Sequence, residues 1–381
     1  MTKVDYYENV RQKLSLGRFV TPKHDKIIEL IKIFWDEETI EILNHFPNAG
    51  QLITVKELVE KTGKPKSEIK KLLRIAAKKR TIAKVGRGYG LAPLLPGVFE
   101  AYYVAQQDSE ENLKKAAKVY RYIFENALIS RAREKIKDKD KERGFSEFTP
   151  LLPLEAKERL IKIDETVDSE SQILSYELVE EMINRNEAYA VVPCQCRIIG
   201  ELTGEPCRVP SEMGCFAVGL LAKAFADMGI GRALTKEEAI EFIKETEKEG
   251  LVHNVTAATI SDNMIICNCC NCHCGALLPM KKFQIKSVRQ SNFAPKNDPE
   301  LCVLCEKCLK ICPVEAISHP SKDDKMITNY DMCIGCGLCA SNCPENAIKM
   351  EKVRTKTRKQ SDQNIEEVRF AELFSGLLTG N

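Results

Sequence analysis

The chain has 381 residues, 44% of them apolar and 29% charged, with a formal net charge of +2; this allows two to four domains with their own cores and excludes a whole-chain attraction to nucleic acid or an anionic membrane. Met1–Val10 carries acidic and basic side chains where a signal peptide needs an apolar stretch, and the nearest candidate span, Cys215 to Met228, is short and holds Lys223 and Asp227. The expectation is a soluble cytoplasmic protein without a membrane span, whose 17 cysteines are metal ligands rather than disulfides.

No cysteine precedes Cys194, so the first half is expected to fold without metal. Ile27–Trp35 and Glu38–Phe46 are apolar-periodic helices. Thr54–Thr62 and Ser67–Lys79 follow, separated by Gly63-Lys64-Pro65, and Thr81–Leu91 reads as strand, glycine turn and strand. This order resembles a winged helix-turn-helix, assigned to residues 1–96. Ile69, Leu72, Leu73 and Ala76 recur at core spacing and leave Lys66, Lys70, Arg74 and Lys78 on other faces. Between Lys56 and Arg87, twelve Lys or Arg stand against Glu57, Glu60 and Glu68. That excess suits DNA phosphates, and it suits equally a solvated face of a protein-docking module.

Residues 97–153 are expected to be a helical connector. Asn112–Lys137 carries an apolar stripe through Leu113, Ala116, Ala117, Tyr120, Ile123, Phe124, Ala127 and Leu128, and Phe148–Pro153 is a proline-marked boundary. Residues 154–290 form a Cys-rich α/β middle domain. Arg159–Val167 alternates, Gln172–Asn184 is helical, and Ala188–Pro193 is a buried strand that ends at Cys194. Thr235 and Glu238 make a capping box for a helix that Gly250 stops. Leu251–Val255 and Met264–Ile266 are strands, the second running into Cys267. Two strands thus deliver cysteines from their C-terminal ends.

Cys302-x2-Cys305-x2-Cys308-x3-Cys312-Pro313 recurs 31 positions later as Cys333-x2-Cys336-x2-Cys339-x3-Cys343-Pro344. Residues 291–350 therefore resemble bacterial-type two-cluster [4Fe-4S] ferredoxins, the match running from about Asn297 to Met350. The resemblance implies that Cys302, Cys305, Cys308 and Cys343 hold one cluster and that Cys333, Cys336, Cys339 and Cys312 hold the other. Gly335, Gly337 and Ala340 stand where the first repeat has Leu304, Glu306 and Leu309, so the two clusters are expected to differ in potential. Residues 351–381 are a polar tail that turns amphipathic from Ile365 to Leu378, a docking helix.

Nine cysteines remain: Cys194, Cys196, Cys207, Cys215, Cys267, Cys269, Cys270, Cys272 and Cys274. In Val192–Arg197 and Cys267–Gly275 the spacings are mostly one or zero residues, unlike a zinc knuckle or a ferredoxin loop. In extended backbone Cys267 and Cys269 point one way, and Cys270, Cys272 and Cys274 the other. The segment then ligates two centres, or curls around one and leaves spare thiols. Ligand arithmetic favours one or two further iron–sulfur clusters; a structural zinc site is the rival. His273 reads as a backbone-bonded or solvated histidine before a ligand. Arg197 reads as a donor to cluster sulfur or anion, or as an ordinary salt bridge. His253 is an acid–base candidate by position and a structural residue by type.

Pro193-Cys-x-Cys-Arg197, Gly250-Leu-Val-His253, the Ile266-Cys-Asn-Cys-Cys270 run and a terminal two-cluster module are together similar to 4Fe-4S dicluster proteins of anaerobic microbes. That resemblance implies no particular reaction. The whole reads as an α+β multidomain iron–sulfur electron-transfer protein, an oxidoreductase component served by a redox partner protein. Its rivals are a redox-responsive DNA-binding regulator and a cluster-maturation scaffold.

Overall fold

Leu52–Thr54 (β1) leads without a loop into the helix Val55–Thr62 (α4), because Thr54 and Glu57 form a reciprocal capping box there, and Gly63, at φ +67°, ends that helix. The computed structural model describes residues 5–16, 20–128, 148–161, 178–227, 229–256, 265–283, 286–320 and 325–354. Three helices precede β1: Tyr6–Lys13 (α1), Asp25–Phe34 (α2) and Glu37–Leu43 (α3). After α4 come Lys66–Lys78 (α5), Ala83–Val85 (β2) and Gly88–Gly90 (β3), and the strands form an antiparallel sheet in the order β1-β3-β2. Helix α5 buries Ile69, Leu72, Leu73, Ala76 and Ala77. Its Lys66, Lys70, Lys71, Arg74 and Lys78 are exposed.

Phe99–Ala105 (α6) and Glu110–Tyr122 (α7) follow, and a π-helical turn, Ile123–Leu128, extends α7. The stripe of α7 buries Leu113, Ala116, Ala117 and Val119. The rest of the expected Asn112–Lys137 helix lies outside the described residues.

Six strands build the middle sheet, in the order β4-β8-β9-β6-β5-β7: Phe148–Pro150 (β4), Tyr189–Val192 (β5), Cys215–Val218 (β6), Arg232–Leu234 (β7), Val252–Thr256 (β8) and Ile265–Cys269 (β9). Every pairing is antiparallel. The middle segment is thus α+β in construction, not the α/β arrangement its alternating pattern suggested, because its helices do not cross between parallel neighbours. Phe148–Pro150, within the expected connector, is an edge strand of this sheet. Strand period two divides the residues: Ala190, Val192, Cys215 and Ala217 join the core of the N-terminal helices, and Tyr189, Val191, Phe216 and Val218 face Lys236–Lys248. That last helix begins at the expected Thr235–Glu238 capping box. Of the expected helix Gln172–Asn184, Val179–Asn184 is helical and residues 172–177 lie outside the described residues, as does most of the alternating Arg159–Val167.

In the C-terminal module Phe293–Asn297 (β10) pairs antiparallel with Ile348–Lys352 (β13), and Ile317–Ser318 with Ile327–Thr328. Two short helices, Lys307–Ile311 and Leu338–Ser341, carry the third cysteine of each repeat, Cys308 and Cys339. The tail beyond Arg354, with its expected docking helix, lies outside the described residues. Among the described residues no helix is long and apolar enough to cross a membrane.

Candidate metal centres

The 31-residue repeat is written in the backbone. Leu304 (φ +53°) and Gly335 (φ +71°), Glu306 (φ +59°) and Gly337 (φ +77°), Glu315 (φ +55°) and Asn346 (φ +51°) are three equivalent pairs, all left-handed. Leu304 and Glu306 accept about 1–2 kcal/mol each for this conformation. At Gly335 no side chain fits: a Cβ would lie 2.1 Å from the Phe293 carbonyl oxygen and 2.2 Å from Ser291 Oγ. Such turns aim backbone N–H groups inward. Those of Leu309, Gly335 and Leu338 reach the thiols of Cys308, Cys333 and Cys336, opposing the upward push that burial gives their pKa values.

Cys302, Cys305, Cys308 and Cys343 line one small cavity. Cys312 lies in electrostatic reach of Cys333, Cys336 and Cys339. Cys308 is also in reach of Cys339, so the two sets adjoin. Buried thiols ringed by amide donors fit a polynuclear anionic cluster, whose sulfides accept those N–H groups.

The other nine cysteines converge at one end of the middle sheet. Antiparallel pairing puts the end of β5, the start of β6, the end of β9 and the start of β8 on a single edge, with Val192 opposite Cys215 and Val252 opposite Cys269. Cys194 follows β5 and caps Gln195–Leu202, whose first turn carries Cys196. The close passage needs Gly214, where a Cβ would lie 1.9 Å from the Val192 carbonyl oxygen. Strand β9, Ile265–Cys269, runs three residues beyond the end of the expected Met264–Ile266, through Cys267 and Cys269.

The thiols fall into two neighbourhoods. Cys215 Sγ is 3.9 Å from Cys267 Sγ, Cys269 contacts both Cys267 and Cys274, and Cys196 stands in reach of Cys269 and Cys274. Cys194 joins them through Cys196. Beside this inner group, Cys270 contacts Cys207, Cys272 and His273. Strand alternation predicts the division except for Cys274, which returns to the inner group because the chain leaves the strand at Cys270 and turns over residues 271–273.

Negative charge has defined places here. Neighbouring thiols donate to Cys194, Cys269 and Cys270: Cys196 brings the Cys194 pKa down to about 7, Cys267 lowers Cys269, and Cys207 lowers Cys270. The donors are correspondingly pushed up, Cys196 by Cys194 and Cys267 by Cys215 and Cys269. Arg197 is fully buried. Its guanidinium donates to the carbonyls of Pro210 (2.9 Å), Met213 (2.9 Å) and Asn268 (2.8 Å), and its Nε has no partner. Burial opposes its charge, but Cys194, Cys270 and Cys215 hold it and raise its pKa. Of the two sequence readings, the surface salt bridge is excluded. Asn254, whose amide has no hydrogen-bond partner, is a second buried group beside these thiols, next to Cys269. Buried thiols, a buried cation and orphaned amide atoms fit an anionic metal centre.

His253 is 2% exposed and lies between Asn268 (2.7 Å from Nδ1) and Glu247 (3.3 Å from Nε2). The sequence signal for this trio was absent, because Glu247 and Asn268 are ordinary surface types until the sheet buries them.

Residues 294–350 match the family of the 4Fe-4S dicluster domain. No curated protein and no solved structure matches the chain. The C-terminal segment is a ferredoxin-like dicluster module, and with the Cys-rich sites beside it this is an iron–sulfur electron-transfer protein.

Proposed function

We propose that the dicluster module exchanges electrons with a partner protein and relays them to a third iron–sulfur cluster at the edge of the middle sheet, as a component of an oxidoreductase. In this reading Cys302, Cys305, Cys308 and Cys343 hold one cubane, and Cys312, Cys333, Cys336 and Cys339 the other. The third cluster takes its ligands from Cys194, Cys196, Cys215, Cys267, Cys269 and Cys274. The observation that carries the reading is the convergence of these six thiols beside a buried, charged Arg197. Contact with the module supports it: Cys269, Cys270 and Cys274 share one apolar cluster with Cys312 and Cys333. Iron and acid-labile sulfide in anaerobically purified protein test it. Three cubanes give about twelve irons and a third EPR signal on reduction; about eight irons with no third signal sinks the proposal.

A second reading rests on α5. The order α3-β1-α4-α5-β2-β3 is that of a winged helix, proposed here for residues 1–96, and five exposed cations line α5. As a redox-responsive regulator the protein binds duplex DNA with a log–log salt slope near about −4.5 for five phosphate contacts. No binding at low salt in either redox state removes this reading.

A further inference from the structure

Three of the nine surplus cysteines are arranged differently from all the others. Among the described residues, Cys207, Cys270, Cys272 and His273 form the group whose ligand atoms all lie within 4.8 Å of one another. Cys207 Sγ and Cys272 Sγ are 3.2 Å apart. The eight cysteines of the dicluster module are all described, and no three of them approach so closely. The contrast has a geometric meaning. Thiolates on a cubane bind different irons, so an iron–iron edge separates them. Four ligands of one tetrahedral ion, with metal–sulfur bonds of about 2.3 Å, stand only roughly 3.8 Å apart. The dicluster cysteines are thus spread more widely than ligands of one ion, and this set has the spacing of a single ion.

His273 provides an independent observation. Its Nδ1 is buried and has no hydrogen-bond partner. The opposite edge of the ring is seated on Gly200, where a Cβ would come within 2.5 Å of Cδ2 and 2.6 Å of Nε2, and the Glu205 carbonyl oxygen lies 2.8 Å from that same position. Metal-bound imidazoles are held in this manner, with one nitrogen turned to a backbone carbonyl and the other to the ion. The His273 side chain meets the Cys270 thiol, within the set that Cys207 and Cys272 complete.

We infer that Cys207, Cys270, Cys272 and His273 Nδ1 bind one zinc ion, separate from the iron–sulfur clusters. Three thiolates and an imidazole are a closed tetrahedral set with no position left for substrate, so the ion is structural. It ties the loop that carries Cys207 to the turn at residues 271–273. Cys207, Cys270 and Cys272 line a cavity of about 310 Å3 together with Lys307, Lys310 and Ile311 of the dicluster module. The ion therefore fixes the wall against which the first repeat packs, and Gly250 marks how close that packing is, since a Cβ there would lie 2.9 Å from Ile311 Cγ1.

The test is elemental analysis and zinc-edge X-ray absorption of full-length protein, purified anaerobically from cells supplied with iron and zinc. The expected result is about one zinc per chain, with three sulfur neighbours at about 2.3 Å and one nitrogen at about 2.0–2.1 Å. Cys272→Ser loses the zinc and keeps wild-type iron and sulfide. His273→Cys keeps the zinc and exchanges the nitrogen neighbour for a fourth sulfur. Wild-type protein without zinc overturns the inference, as does Cys272→Ser protein that loses about four irons, because the thiols then serve a cubane. The wild-type spectrum needs no variant to fold. About eight irons with the zinc intact refutes the third cluster of the proposed function and leaves the zinc site standing.

Discussion

Arg197 offers the sharpest separation of charge from packing. Its guanidinium is fully buried and satisfies three carbonyls from two segments, Pro210 and Met213 on one and Asn268 on the other. Replacing it with Met orphans those carbonyls and removes charge-assisted bonds of about 1.5–3 kcal/mol each. The desolvation that a buried guanidinium suffers is recovered, so the net loss should be about 3–5 kcal/mol, the range for breaking a buried charged network. The electrical effect is independent. A unit charge ~6 Å from the centre at an effective dielectric constant of 20 contributes about 3 kcal/mol, or about 120 mV for one electron. Removing a positive charge favours the oxidised state, so the midpoint potential of the proposed third cluster should fall by that amount in Arg197→Met. Arg197→Lys keeps the charge but not the planar fork. It should lose stability and hold its potential within about 30 mV, a shift of under 1 kcal/mol. The assays are anaerobic guanidinium unfolding and an EPR-monitored redox titration. Equal potentials in Arg197→Met and wild type, or equal shifts in both variants, would refute the assignment of charge to this residue.

Three further outcomes are expected. Burial pushes the Glu100 carboxyl up to about 7, although the Gly97 N–H donates to it at 2.6 Å. Its folded pKa is above its unfolded one, so this contribution is full below about pH 4.5 and is lost as pH rises through 7; Glu100→Gln should flatten that slope and gain about 1–3 kcal/mol at pH 8, read by thermal unfolding. Gly214→Ala places a Cβ against the Val192 carbonyl and 2.6 Å from the Cys194 nitrogen; neither backbone atom can yield, and a loss above about 3 kcal/mol with failure to retain the third cluster should follow in calorimetry and iron assays. Gly335→Ala meets the Phe293 carbonyl and should cost about four irons per chain while the cluster of Cys302, Cys305 and Cys308 remains, as counted by EPR spin quantitation.

What could be read from the sequence was local. The Thr235–Glu238 box announces its helix within four residues, and the Ile69, Leu72, Leu73, Ala76 spacing marks the buried face of α5. The dicluster repeat is legible because each Cys-x2-Cys-x2-Cys-x3-Cys-Pro motif is contiguous and recurs intact. The run from Cys215 to Asp227 was opaque: a strand buried on both faces passes directly into an apolar helix, and only Gly219, at φ +65°, marks the change from period two to 3.6. Ligand grouping was opaque for another reason. Cys207 and Cys272 are 65 residues apart, and only the sheet brings them together. His273 could not be separated from a solvated histidine, because its ring is seated by the missing side chain at Gly200, which lies 73 positions away in sequence.

The dicluster module and the Cys-rich edge of the middle sheet are joined by a continuous polar line, and it decides the role of His253. Asn342, adjacent to Cys343, donates to the Glu247 carbonyl (3.2 Å). The Glu247 carboxylate accepts from the Leu154 N–H (2.6 Å) and faces His253 Nε2. His253 Nδ1 meets Asn268 Oδ1, because the Asn268 amide nitrogen donates to the Gly214 carbonyl (2.8 Å). Asn268 itself stands between Cys267 and Cys269. Both ring nitrogens therefore face side-chain oxygens, Asn268 Oδ1 on one side and the Glu247 carboxylate on the other. A histidine with both nitrogens engaged and no solvent contact has no free site for acid–base exchange with a substrate. Its work is positional. Electron transfer falls steeply with distance, and this line ties the turn bearing Cys343 to the strand bearing Cys267 and Cys269 without passing through any metal. In the proposed relay, the spacing between the two sites is thus held by hydrogen bonds rather than by a metal.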